Sequence, residues 1–254
     1  MNGSSRRTVD EIAGPYANFL YLPPPALPGV CSVCHIAVDE RYPRCHPCNQ
    51  ARRVLGERQV ADVVVPMSFA PAGLQFAREL YTYKRSTVPP EIRASRTVGL
   101  AAVLWKWLTV HESCIARHVG IDGFDRITVV PSTSGRPGPH PLREIVAELV
   151  EITRSRYEDL LSIDNPSAGQ REQSAERFKA TRSVVAEDVL VIDDTWTTGA
   201  HAQSAAAALN SAGARTVAIV AIGRWLVREW GDNEAFYQEV RRRGWAWDRC
   251  CLDP

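Results

Sequence analysis

The stretch Val189-Leu190-Val191-Ile192-Asp193-Asp194-Thr195-Trp196-Thr197-Thr198-Gly199-Ala200 decides how this chain is read. Four apolar residues run into two adjacent carboxylates, and a hydroxyl-rich turn closed by glycine follows. The apolar run has the pattern of a buried parallel strand, and His201 to Ala212 has that of the helix after it. The turn therefore lies at the carboxyl end of a strand, where open α/β sheets bind ligands.

The turn has its own chemistry. Thr195, Thr197 and Thr198 offer hydroxyls, Gly199 lets successive N–H groups converge, and the helix adds its free N–H groups and positive dipole end. These make a phosphate-sized anion site. A site for phosphate alone would not place Asp193 and Asp194 beside it. The carboxylates make sense if the ligand also carries hydroxyls or a bound Mg²⁺, which takes oxygen ligands. A sugar phosphate with vicinal hydroxyls suits both halves. The alternative is a Thr/Gly cap after an ordinary strand, which needs no acidic pair.

The chain has 254 residues, 45% of them hydrophobic, enough for one α/β domain and a small appendage. A formal net charge of +1 provides no global basic field for nucleic acid. No apolar run approaches bilayer length, and none follows the polar Met1–Arg7 start, so neither a membrane span nor a secretory signal is expected. Seven cysteines, four of them in a metal-type cluster, suit a reducing cytoplasm.

That cluster is Cys31-Ser32-Val33-Cys34 and Cys45-His46-Pro47-Cys48, two C-x₂-C pairs separated by ten residues. Each pair can present two thiolates to one ion, and Cys31, Cys34, Cys45 and Cys48 complete a closed tetrahedral Zn²⁺ site. Such a site is structural, because it leaves no position for water. His35 and His46 are adjacent alternative ligands. Four unliganded, redox-active thiols are the competing reading.

Residues 1–30 read as a poorly structured, Pro-rich lead, 31–57 as a zinc knuckle, 58–225 as the α/β domain with a helical insertion at 71–119, and 226–254 as a helix with a Trp/Cys tail. Strands are expected at 61–69, 126–131, 157–163 and 215–222. Helices are expected at 73–84, 93–119, about 142–153 and 229–243. Cys114 reads as core, and His111 and His118 as solvent-facing or core-edge. The tail residues Trp245, Trp247, Cys250 and Cys251 should dock on the core. Arg241, Arg242 and Arg243 complement a helix C-terminus.

The run from Val189 to Ala200 resembles the phosphoribosyl-pyrophosphate (PRPP) signature of type I phosphoribosyltransferases. A four-cysteine knuckle, a helical insertion and such a core together resemble the ComF family, from about Cys31 to Ile222, and Tyr83-Lys84-Arg85 resembles that family's Lys-Tyr-Arg segment. The resemblance implies a mainly parallel α/β fold flanked by helices. It implies that Asp193 and Asp194 meet the ribose hydroxyls, and that Thr195, Trp196, Thr197, Thr198 and Gly199 hold the 5-phosphate. It places a pyrophosphate loop at Ser132, Thr133, Ser134, Gly135 and Arg136, and a mobile loop at 164–175 from which Arg171, Arg177 and Lys179 reach the pyrophosphate. Read as bare sequence, these two segments are a flexible Ser/Gly/Pro connection and a solvated charged loop. The chain departs from the family at Trp196, usually a smaller residue, and at Gly138-Pro139-His140-Pro141, where the family has Arg-Gly-Phe-Asn.

The function so implied is Mg²⁺-dependent transfer of ribose 5-phosphate from PRPP to an unidentified nitrogen acceptor, a step in nucleotide metabolism. The alternative is a non-catalytic PRPP-binding accessory protein in competence, DNA uptake or nucleotide sensing. Single-stranded DNA or competence proteins would then be partners, and a homodimer is also open.

Overall fold

The structure, a computed structural model, describes residues 7–133, 140–166, 169 and 172–253. Its strands are β1 (Val63–Pro71), β2 (Arg126–Val129), β3 (Leu161–Ile163), β4 (Phe178–Ala180), β5 (Asp188–Trp196) and β6 (Thr216–Leu226). Its helices are α1 (Val9–Ala13), α2 (His46–Leu55), α3 (Gln75–Thr82), α4 (Pro90–His118), α5 (Pro141–Glu144), α6 (Glu151–Arg154), α7 (Ala200–Ser211) and α8 (Asn233–Arg243).

Four strands form a wholly parallel sheet in the order β1-β6-β5-β2. The apolar run of β5 occupies an interior position, and Asp188 to Ile192 are buried. Its side chains alternate between two cores, as strand geometry requires. Leu190 and Ile192 join Leu100, Leu104 and Leu108 of α4 on one face. Val189 and Val191 join Ala202, Ala205 and Leu209 of α7 on the other. Each such buried Leu, Ile or Val side chain stabilises the fold by about 1.5–3 kcal/mol. The small residues of α7 allow a helix to lie close on the sheet. Among the described residues, no helix is long and apolar enough to cross a membrane.

Several elements differ from expectation for identifiable reasons. The lead is ordered where the structure describes it. Thr8 and Glu11 form a reciprocal capping box at α1. Ala13, Tyr16, Leu20 and Leu22 are buried. Tyr16 settles on Gly99 of α4, where a Cβ would stand 2.0 Å from its hydroxyl. The backbone then pairs with the end of β1, Phe69 N–H donating to Tyr21 O at 2.9 Å.

The stretch 157–163 is not one strand. Tyr157 makes a parallel bridge to Ile127, and β3 then pairs antiparallel with β4. The loop beginning at residue 164 therefore closes a hairpin. The helix expected near 142–153 is divided into α5, a π-helical turn at Ile145–Leu149 and α6, with Val150 extended between the last two. β6 continues to Leu226, because Trp225 and Leu226 pair with Ala70 and Pro71. His111 is fully buried rather than at a core edge, with Nε2 2.9 Å from Trp247 O. Cys114 is half-buried, and Trp245, Trp247, Cys250 and Cys251 pack on the core beside α4.

Candidate functional site

β5 extends to Trp196, so Asp193, Asp194 and Thr195 lie within the strand rather than after it. Asp193 pairs in register with Ala221, and Trp196 with Arg224. Gly199 adopts φ +78°, which reverses the chain into α7. Thr198 Oγ1 accepts from Ala200 N–H at 3.4 Å. A Cβ at Gly199 would come 2.1 Å from the indole of Trp196, so the ring lies directly against the turn.

A cleft of about 530 Å³ opens at this end of the sheet. Asp193 and Asp194 line it together with Ser132 and Thr133 from the segment after β2, and Lys84 and His201. Thr133 Oγ1 lies 3.4 Å from His201 Nε2, which joins the segment after β2 to the start of α7. A larger hollow of about 880 Å³ lies at the opposite, amino ends of β5 and β6. There the buried Asp188 accepts from the more exposed Arg215 Nε at 2.8 Å, an internally satisfied ion pair rather than a converging site.

The two carboxylates are not equivalent. Lys84 Nζ donates to both oxygens of Asp194, at 2.9 and 2.7 Å. Tyr83 Oη donates to Asp194 Oδ2, and His140 Nε2 stands 3.6 Å from the same oxygen. Burial alone would raise Asp194, but Lys84, His140 and Tyr83 hold it down at about 2. Asp193 is pushed up to about 7, first by burial and then by the charge of Asp194. Near neutral pH one carboxylate is therefore firmly ionised and paired while its neighbour titrates. His201 is lowered to about 4, by burial and then by Arg177, and enters the cleft as a neutral imidazole.

The other expected site residues fall in different places. Thr197 is exposed, Thr195 and Thr198 are half-buried, and none of the turn residues from Thr195 to Gly199 lines the cleft. Trp196 is 1% exposed and belongs to the core on the α7 side. Arg177 is buried, not extended from a loop: it donates to the carbonyls of Gly169 at 2.7 Å and Glu172 at 2.6 Å. Lys179 lies in β4, exposed, in an ion pair with Asp164 at 2.9 Å. Neither lines the cleft. Ser134, Gly135, Arg136 and Arg171 lie outside the described residues. The structure adds His140 and His201, which the sequence reading did not place in the site. Position 201, the second residue of α7, was the available signal for His201.

On the α7 face stands the second centre. Cys31, Cys34, Cys45 and Cys48 bring their sulfurs within 4.8 Å of one another. A turn with His35 at φ +57° presents the first pair, and Cys45 and Cys48 bracket the start of α2. The Sγ atoms of Cys34 and Cys45 are 3.6 Å apart. Tetrahedral Zn–S bonds of about 2.3 Å require about 3.8 Å between sulfurs, so the four residues fit a metal ion such as zinc. All four are free cysteines. Cys31 is driven well below the ordinary thiol value by hydrogen bonds from Cys34, Cys45 and Cys48; Cys34 is lowered to about 7, and Cys45 and Cys48 are raised in exchange. A divalent cation replaces those protons. His35 faces away, with Nδ1 2.8 Å from Pro24 O, and His46 is exposed.

No family model and no curated protein matches the chain. A solved structure described as the allosteric regulatory enzyme of purine biosynthesis is similar at 22% identity, over 46% of this chain and 26% of that one, with a TM-score of 0.28. The chain thus matches about a quarter of that protein's length. A likeness at this TM-score carries no functional argument.

Proposed function

We propose that the chain binds Mg²⁺–PRPP in the cleft at the end of β5 and transfers its ribose 5-phosphate to a nitrogen acceptor, releasing pyrophosphate. One observation carries the reading. An adjacent carboxylate pair stands at the end of an interior parallel strand, directly before a Thr/Gly turn and a helix N-terminus, in a cleft shared with Ser132 and Thr133. Asp193 takes the ribose hydroxyls or the metal, since among the described residues Lys84 hydrogen-bonds Asp194 and acts on Asp193 only through its charge. Asp194 holds Lys84 and Tyr83 in place beside it. The α7 N-terminus and the turn hydroxyls, which adjoin the cleft beside His201 without lining it, receive the 5-phosphate. Breaking the bond from C1 to pyrophosphate develops oxocarbenium character, so the protein orients the sugar and stabilises charge rather than attacking it. Mg²⁺, when bound, supplies charge neutralisation to the departing pyrophosphate. The four cysteines hold a structural Zn²⁺, as in the ComF family that the sequence resembles.

The clamp on Asp194 favours a second reading. A carboxylate already satisfied by a lysine and a tyrosine suits ligand binding without turnover, as in an accessory protein of DNA uptake or nucleotide sensing. Pyrophosphate release from PRPP, assayed against a panel of bases and amines, separates the two. Release that is lost in Asp193→Ala supports transfer. Saturable PRPP binding with no release under any acceptor supports the sensor, and no PRPP binding removes both.

A further inference from the structure

We infer that Arg224 is a positioning residue that ties the four-cysteine centre to the turn after Asp194, so that metal in the knuckle orders that turn. The inference rests on the metal reading of the knuckle, and its functional consequence rests on the phosphate reading of the turn.

Arg224 lies near the end of β6, in register with Trp196 of β5 and Phe69 of β1. It is 6% exposed. Its Nη2 donates to Cys34 Sγ at 3.5 Å. Its Nη1 donates to Trp196 O at 3.3 Å and to Trp225 O at 2.6 Å. One guanidinium thus touches both the cysteine cluster and the residue that opens the turn. Trp196 continues the connection, because its ring lies against Gly199.

A buried arginine is costly without an anion. Four thiolates around a divalent ion carry two net negative charges, and the guanidinium offsets one of them through a charge-assisted N–H···S bond. When the ion leaves, the four sulfurs are no longer drawn to one point and that bond loses its fixed acceptor. The fork is planar and rigid, so a shift at Cys34 is transmitted to the Trp196 carbonyl. A lysine would supply the charge without the second fixed donor.

Hydrogen exchange on the full chain, zinc-loaded and chelator-stripped, tests this at the peptide spanning Trp196 to Ala200. Stripping should accelerate exchange there by about tenfold while β2 keeps its protection, the size of a typical coupling between sites. Arg224→Gln should exchange fast at the turn with or without zinc and surrender zinc to a chelator sooner. Arg224→Lys should retain zinc yet lose turn protection. Equal turn protection in loaded and stripped wild type would overturn the inference. So would uniform acceleration in every strand, which would mean that the whole chain unfolds with the metal. The wild-type comparison decides the matter even if Arg224→Gln does not fold. Metal-linked turn exchange in a protein that binds no Mg²⁺–PRPP would refute the phosphate reading and leave the tie standing.

Discussion

The knuckle and the cleft each set a cluster of acidic groups beside one cation, and they use it differently. In the knuckle, Cys31, Cys34, Cys45 and Cys48 surround one point, and Arg224 approaches from outside the ring. Four thiolates around one ion would leave no open position, as in a structural centre. In the cleft, Lys84 hydrogen-bonds Asp194 and reaches Asp193 only through its charge, and Asp193, raised by burial and by Asp194, is left to titrate near pH 7 in the cleft lining. A closed cluster shares its charge among all members. An open one concentrates paired charge on one member and leaves its neighbour available to a ligand.

The largest effect should come from breaking the closed centre. Cys45→Ser should reduce bound zinc from about one per chain to none and cost about 5 kcal/mol while the parallel sheet stays folded. Metal analysis with thermal melting measures both, and a variant melting like wild type would remove the structural role. Next is the joint between the regions. Gly199→Ala must displace the Trp196 ring and strain a left-handed position, at a cost of about 3 kcal/mol. Denaturant unfolding would register the loss.

Lys84→Met opens the pair in the cleft. It strands a buried Asp194 with Tyr83 and His140 and should cost about 2 kcal/mol at neutral pH, since the lysine itself is partly exposed. The depressed Asp194 contributes stability above its ordinary carboxylate value and loses it as pH falls through about 2. In Lys84→Met that acid loss should begin at higher pH. Asp193 carries the reverse sign. Its raised value of about 7, against an ordinary 3.8, means that its contribution to stability is present below the ordinary value and is lost as pH rises through 7. Ligand binding needs the ionised form, so affinity for Mg²⁺–PRPP should climb about tenfold between pH 6 and 8. Asp193→Asn should flatten that rise, and an unaltered profile would assign it to another group.

Much of both regions was legible in the chain because their ligands are local. Two C-x₂-C pairs and a strand-Asp-Asp-turn-helix run carry their geometry in their spacing. Contacts across long sequence separations were not legible. Nothing near Asp194 announces that Tyr83 and Lys84, from the end of α3, will close on it. Arg224 reads as one more residue after a strand until β6 brings it beside Trp196. Trp196 itself was placed in the phosphate turn by position. Its carbonyl does open the turn, while its side chain joins Phe69 and Leu226 in the core, on the face opposite to Leu190 and Ile192. The prolines of the lead suggest a spacer, whereas the structure packs Ala13, Tyr16, Leu20 and Leu22 into the core. The lead's capping box, Thr8 to Glu11, was the overlooked local signal. Glu79 completes that anchor from inside, meeting Tyr16 Oη at 3.4 Å and Arg96 at 3.0 Å.

The central claim is that the open region takes a ribose phosphate through Asp193. Titration calorimetry of the zinc-loaded chain with PRPP, with and without Mg²⁺, tests it most directly. The account predicts saturable one-to-one binding that requires Mg²⁺ and disappears in Asp193→Asn while zinc content stays at about one per chain. Binding undiminished in Asp193→Asn, or no binding by a folded, zinc-loaded wild type, would contradict it.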